Sequence, residues 1–145
     1  MKKLVLVLML VVVSAFGSGL NTKKTICDAV DEATKTNKPI MFVITRDGCK
    51  YCKILKEKTL QNKKLQKELN TKFVVVVANT SKGGYIPAEL RNVQGVPSIW
   101  FLYKNGLSMY ESPAGAPQKI GNFIEMLKSV ETRFDYLEKK FGNRI

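Results

Sequence analysis

Pro39-Ile40-Met41-Phe42-Val43-Ile44, then Cys49-Lys50-Tyr51-Cys52, then Lys53-Ile54-Leu55-Lys56-Glu57-Lys58: this passage decides the fold. Ile40 to Thr45 is a short apolar run rich in β-formers, the pattern of a buried central strand. Arg46-Asp47-Gly48 is a polar turn. After it the pattern becomes helical, with Cys52, Leu55 and Thr59 on one face. Two thiols three residues apart therefore fall at a strand-to-helix junction, where a reversible disulfide can be made and broken. Residues i and i+3 share a helix face, and unpaired N–H groups at the helix start carry partial positive charge that favours a thiolate. These residues point to thiol–disulfide exchange.

Upstream, Thr25 to Lys38 reads as a helix, with Ile26, Ala29, Val30 and Ala33 at three–four spacing and Asp28, Asp31 and Glu32 opposite. Pro39 stops it. Cys27 lies beside the apolar stripe and is expected to be a small half-buried residue; a mixed disulfide or a link to another chain is the alternative. Downstream, Asn62 can cap a second helical piece carrying Leu65 and Leu69. Phe73 to Ala78 is a strand without alternation, so it is expected to be buried on both faces beside a parallel partner. The helical crossover between the two strands fits a right-handed βαβ unit.

Asn79 to Tyr85 is a polar loop, and Pro87 to Arg91 reads as one helical turn opened by Pro. Gly95-Val96-Pro97-Ser98 leads into the strand Ile99 to Tyr103. Lys104-Asn105-Gly106 predicts a hairpin turn, Leu107 to Glu111 the returning strand, and Pro113 to Pro117 a loop. From Gln118, apolar residues step by three or four through Ile120, Phe123, Ile124, Leu127, Val130, Phe134, Leu137 and Phe141, predicting one long helix. The expected architecture is one α/β domain: a mixed central sheet of about four strands with helices on both faces.

The start of the chain is different. Lys2 and Lys3 precede the unbroken apolar run Leu4 to Val13, and Ser14 to Gly19 is a patch dominated by small residues. That is the form of a secretory signal peptide, with the cut expected after Gly17 and an alternative near Gly19. The domain proper is then 18–145, and the expected location is periplasmic or otherwise exported. The run is short for a membrane span of roughly 20 residues, so membrane attachment is expected only if the segment is not cleaved. Export into an oxidising compartment makes free thiols unusual. Three cysteines, 27, 49 and 52, fit one CxxC pair and one separate thiol, not a dense disulfide framework. The 24 basic residues less Lys2 and Lys3 leave 22 against 12 acidic, a net charge of +10. The lysines are spread along the chain with no run of five, and no aromatic-interleaved basic stretch offers stacking for bases; a solvated surface is expected and nucleic acid is not.

With Cys49-Lys50-Tyr51-Cys52 after the first core strand, Val96-Pro97 before the third, and this strand–helix order, residues 25 to 132 resemble the thioredoxin superfamily, in particular its exported Dsb-type thiol:disulfide interchange proteins. The resemblance implies a redox-active disulfide between Cys49, the more exposed nucleophile, and Cys52, the buried resolving thiol. It implies a cis bond before Pro97, with the Val96 backbone beside Cys49 for a substrate strand to pair with. It implies no cofactor, protein substrates carrying thiols or disulfides, and a redox partner that recycles the pair.

Departures from the pattern matter. Where thioredoxin has a Trp before the first Cys and a buried Asp six residues upstream of it, this chain has Gly48 and Val43. It has no His, so thiolate tuning falls to the helix start, Lys50 and Tyr51. The expected direction is reductase or general interchange, with oxidase and isomerase as alternatives. A zinc site would need four ligands and finds one CxxC. Haem attachment would need His where Lys53 stands. A thioredoxin scaffold with a static disulfide, serving as a binding module, is the non-enzymatic alternative.

Overall fold

A computed structural model describes residues 19–91, 95–142 and 144. The expected signal segment, residues 1–17, lies outside them. Among the described residues the elements run β1 (Thr22–Lys23), α1 (Ile26–Thr36), β2 (Ile40–Thr45), α2 (Lys50–Glu57), α3 (Lys63–Lys72), β3 (Val74–Asn79), β4 (Ser98–Leu102), β5 (Ala114–Gly115) and α4 (Ile120–Phe141). Short 3-10 turns occupy Thr59–Gln61, Thr80–Lys82 and Ala88–Leu90. The sheet order is β1-β3-β2-β4-β5. β2 pairs with β3 in parallel, Ile40 opposite Val74 through Thr45 opposite Asn79, and with β4 antiparallel, Ile40 opposite Leu102 through Ile44 opposite Ser98.

β2 is central because both its faces are apolar, and all six of its residues are buried. Met41 and Val43 join one core with Leu55 of α2, Leu65 and Leu69 of α3, and Phe123, Leu127 and Phe134 of α4. Ile40, Phe42 and Ile44 point the other way, into a second core with Ala29 and Ala33 of α1, Leu90 and Trp100. Each alternate residue thus has an apolar layer to enter, which is why β2 shows no polar–apolar alternation.

The helix ends follow their local chemistry. Thr25 caps α1 by accepting the Asp28 N–H through Oγ1 at 3.1 Å. Asn37 closes it in the left-handed conformation at φ 52°, just ahead of Pro39. Asn62 Oδ1 accepts the N–H groups of Lys64 and Leu65, both at 3.1 Å, at the start of α3.

The structure corrects three expectations. The sheet has five strands, because Thr22–Lys23 adds a two-residue parallel edge on β3, opposite Val75 and Val76. The turn at Asn105-Gly106 forms, with Gly106 at φ 89°, and Met109 N–H still donates to Phe101 at 3.0 Å. No returning strand spans Leu107 to Glu111, however; only one isolated bridge joins Leu102 to Ser108. The Ser108 hydroxyl donates to the Tyr110 carbonyl at 2.7 Å and accepts its N–H at 3.3 Å, drawing that backbone away from the ladder. The edge is taken instead by Ala114–Gly115, within the segment expected to be a loop, opposite Ser98 and Ile99. Of Leu107, Met109 and Glu111, only Met109 is buried. Third, Cys27 is exposed rather than half-buried. The core takes Ala29 and Ala33, and Cys27 lies on the solvent side of them.

At the end of the sheet opposite the CxxC turn, the extended part of α4 is tied down by polar groups. Tyr103 donates its hydroxyl to Glu138, Lys104 lies 2.8 Å from the same carboxylate, and Lys104 also donates to Asn37 Oδ1 at 2.9 Å. Burial, then the bond to Glu138, push the Tyr103 hydroxyl up to about 12. Burial would raise Glu138, but the hydrogen bonds from Lys104 and Tyr103 and the Lys104 charge outweigh it and hold the carboxyl below its ordinary value. The signs give two limbs. A depressed carboxyl adds stability above its unfolded value of 4.5 that is lost as pH falls through its folded value; a raised phenol adds stability below 10.0 that is lost as pH rises towards about 12. Urea unfolding measured across pH should show both limbs, with Glu138→Gln flattening the acid one and Tyr103→Phe the alkaline one.

Candidate active site

Because β2 and β4 are antiparallel, with Ile44 opposite Ser98, the turn leaving β2 and the loop entering β4 emerge at the same end of the sheet. The first carries Cys49 and the second Val96 and Pro97. Gly48, at φ +71°, occupies a left-handed position and turns the chain into α2. Cys49 is the N-cap of α2, with extended backbone at φ −91° and ψ 111°.

A disulfide joins Cys49 and Cys52, whose Cα atoms are 5.2 Å apart. The Cys52 N–H donates to Cys49 Sγ at 3.1 Å, so the sulfur receives one of the otherwise unpaired donors of the helix start. Cys49 Sγ lies 3.5 Å from the Val96 carbonyl oxygen, and the Val96–Pro97 peptide bond is cis. Cys49 is half-buried while Cys52 is fully buried, at 0 %. Lys50 and Tyr51 are exposed, and Val96 and Pro97 half-buried. The six residues singled out by sequence therefore gather at one end of the sheet. Cys27 does not join them: α1 packs on the opposite face from α2. Val43, at the position where a carboxylate would stand, is wholly buried among apolar side chains.

Two features went unmarked in the sequence. The first is a polar brace under the Cys49 turn. Asn79 Nδ2 donates to Asp47 Oδ1 at 2.8 Å, the Asp47 N–H donates to Ser81 Oγ at 3.0 Å, and the Ser81 N–H returns to Asn79 Oδ1 at 3.0 Å. Thr80 and Thr45 add side-chain bonds across the same strand ends, at 3.3 and 3.0 Å. Asp47 is thus more than a polar turn residue. Asn79→Ala should cost about 1 kcal/mol and speed amide hydrogen exchange at Asp47 and Ser81, whose N–H partners it loosens.

The second is a groove of about 250 Å³ beside the disulfide. One wall is Tyr51, Ile54 and Leu55 of α2 with Thr59; the other is Pro97 and the segment Ala116-Pro117-Gln118 that leads into α4. The sequence marks that segment only by its prolines.

A CxxC disulfide at the start of α2, in this sheet order, defines a thioredoxin-like disulfide oxidoreductase. The chain belongs to the family whose model is described as the thioredoxin-like domain, which it matches over residues 26–131. Mouse Anterior gradient protein 3 is 24% identical over 132 residues, covering 81% of this chain and 77% of the relative. Among solved structures, a thioredoxin from Thermus thermophilus aligns with a TM-score of 0.66 at 19% identity, over 87% of this chain and 96% of that one. A DsbH oxidoreductase aligns with a TM-score of 0.63 at 19% identity, over 77% and 84%. These structural likenesses speak to the fold.

Proposed function

We propose that the chain is an exported thiol:disulfide oxidoreductase acting on other proteins, with Cys49 as nucleophile and Cys52 as resolving thiol, in the direction of a reductase or general interchange protein. The observation that carries this reading is the asymmetry of the pair. Cys49 is accessible at a helix N-cap with a backbone N–H on its sulfur; Cys52 is sealed behind it. The reduced Cys49 thiolate attacks one sulfur of a substrate disulfide. That S–S bond breaks, a mixed disulfide forms, and the departing sulfur takes a proton from solvent. Cys52 gives up its proton and attacks Cys49 Sγ. The second substrate thiol leaves, protonated, and the Cys49–Cys52 disulfide remains. The substrate has gained two electrons and two protons, and a thiol-bearing redox partner restores the pair by the reverse steps.

The Val96 backbone, whose carbonyl oxygen lies 3.5 Å from Cys49 Sγ, is read as the segment an extended substrate pairs with, and Pro97 lines the groove beside it. Thiolate stabilisation comes from the helix start, with Lys50 adding positive charge and Tyr51 an exposed flank. No His stands between the cysteines, and the residue six positions before Cys49 is Val43, buried among apolar side chains, not a carboxylate. A pair whose reduced form is strongly stabilised is a strong oxidant; this modest set supports the reducing direction. Equilibration with glutathione buffers tests it: a potential near that of thioredoxin, roughly −270 mV, is expected, and one near −120 mV would assign an oxidase.

Export rests on Lys2-Lys3, the apolar run Leu4 to Val13 and the small residues before Gly19. Asn70 Nδ2 donates to the Gly19 carbonyl at 2.8 Å, and Leu20 packs on the larger core. A cut after Gly17 keeps both contacts, whereas a cut after Gly19 removes the first. N-terminal sequencing of the secreted chain should begin at Ser18.

A further inference from the structure

We propose that the groove beside the disulfide receives polypeptide segments whose reacting cysteine is flanked by acidic side chains; this rests on the reading of Cys49 as the attacking thiol. Ile54 and Leu55 on one wall and Pro97 on the other give the groove apolar lining, with Tyr51 55% exposed beside them. Lys50 adjoins Tyr51, Lys58 adjoins Thr59 and Lys119 adjoins Gln118 in the chain, so each of these stretches that line the groove carries a lysine next to a lining residue. All three are exposed, and the ion pairs among the described residues involve Lys23, Lys72 and Lys104 instead.

No carboxylate lines the groove. From Lys50 to its C-cap Lys58, α2 sets four lysines against the single acid Glu57. The acids Asp28, Asp31 and Glu32 sit on α1, across the sheet. Exposed lysines next to the residues that line a concave site raise the local concentration of anionic segments and orient their approach. A concave trough lined by Tyr51, between the two cysteines in the chain, and by Pro97 suits an extended peptide better than a flat lipid surface does.

The test uses the reduced mature protein and three peptide disulfides that differ only beside the cysteine, carrying Glu, Gln or Lys. At low ionic strength the Glu peptide should react about tenfold faster than the Lys peptide. The ratio should collapse near about 1 M salt, where the screening length is about 3 Å. The double variant Lys58→Glu/Lys119→Glu should reverse the order, read as a ratio within one protein so that any change in intrinsic thiol reactivity cancels. The oxidised protein's reaction with dithiothreitol, which carries no charge, reports exchange itself. Brisk reaction with dithiothreitol and equal rates for the three peptides would overturn the acidic-partner proposal and leave the exchange reading standing. No reaction with dithiothreitol would sink the exchange reading first. Binding to phosphatidylglycerol vesicles with a flat peptide ratio would assign the lysines to a membrane surface and overturn the proposal.

Discussion

Cys52→Ala should leave the protein caught in mixed disulfides through Cys49, whereas Cys49→Ala should catch nothing, and both variants are expected to bring insulin reduction down to the uncatalysed rate. The asymmetry follows from burial. Removing Cys52 would take away the one thiol, among the described residues, that lies against Cys49 Sγ; its N–H is 3.1 Å from that sulfur and its side chain is fully buried behind it. The first attack would still proceed, so substrates should accumulate covalently on Cys49. Removing Cys49 leaves Cys52 with no route to a protein disulfide. Diagonal electrophoresis followed by mass spectrometry reads the outcome. Equal trapping by the two variants would reverse the assignment of nucleophile.

Phe123→Ala should cost about 3–5 kcal/mol, a large part of a typical total of about 5–15 kcal/mol. Phe123 is fully buried in the first turn of α4, in the core that also holds Met41, Val43, Ile99 and Phe101. It anchors the helix against the face of the sheet on which α2 also packs. Truncation leaves a void that close-packed neighbours fill only in part. Phe123→Leu, which keeps most of the volume, should cost less. Urea midpoints at constant m-value measure both.

Much of this was legible in the residues because the signals were local. Ile40 to Thr45 and the run Phe73 to Ala78 are apolar on both faces, and they became the parallel pair β2 and β3. Cys49 and Cys52, at i and i+3 on a helix start, can only lie together. Val96-Pro97 stood out only through its resemblance to the X-Pro of the thioredoxin superfamily, and its meeting with Cys49 follows from the antiparallel pairing of β2 and β4. What was not legible depended on competition or distance. Asn105-Gly106 is a true turn signal, yet the Ser108 hydroxyl captures the Tyr110 backbone and the hairpin does not propagate. A two-residue edge such as Thr22–Lys23 carries no periodicity to detect. Cys27 neighbours an apolar stripe in sequence, but one residue on a helix is a turn of about 100°, enough to point it into solvent. The groove joins Tyr51 to Gln118, and the brace joins Asp47 to Asn79; neither contact leaves a mark on the local pattern of either partner.

Whether Cys49 is an activated, accessible thiol whose disulfide with Cys52 turns over is tested most directly by site-resolved alkylation of the fully reduced protein with iodoacetamide at about pH 6, alongside insulin reduction by the wild type. Exposed Cys27 in the same molecule serves as the internal reference thiol, and buried Cys52 as the protected one. Cys49 should be modified well ahead of both, and insulin should be reduced faster than by dithiothreitol alone. An inert Cys49 together with a disulfide that does not turn over would contradict the account and leave a thioredoxin-like scaffold with a structural crosslink.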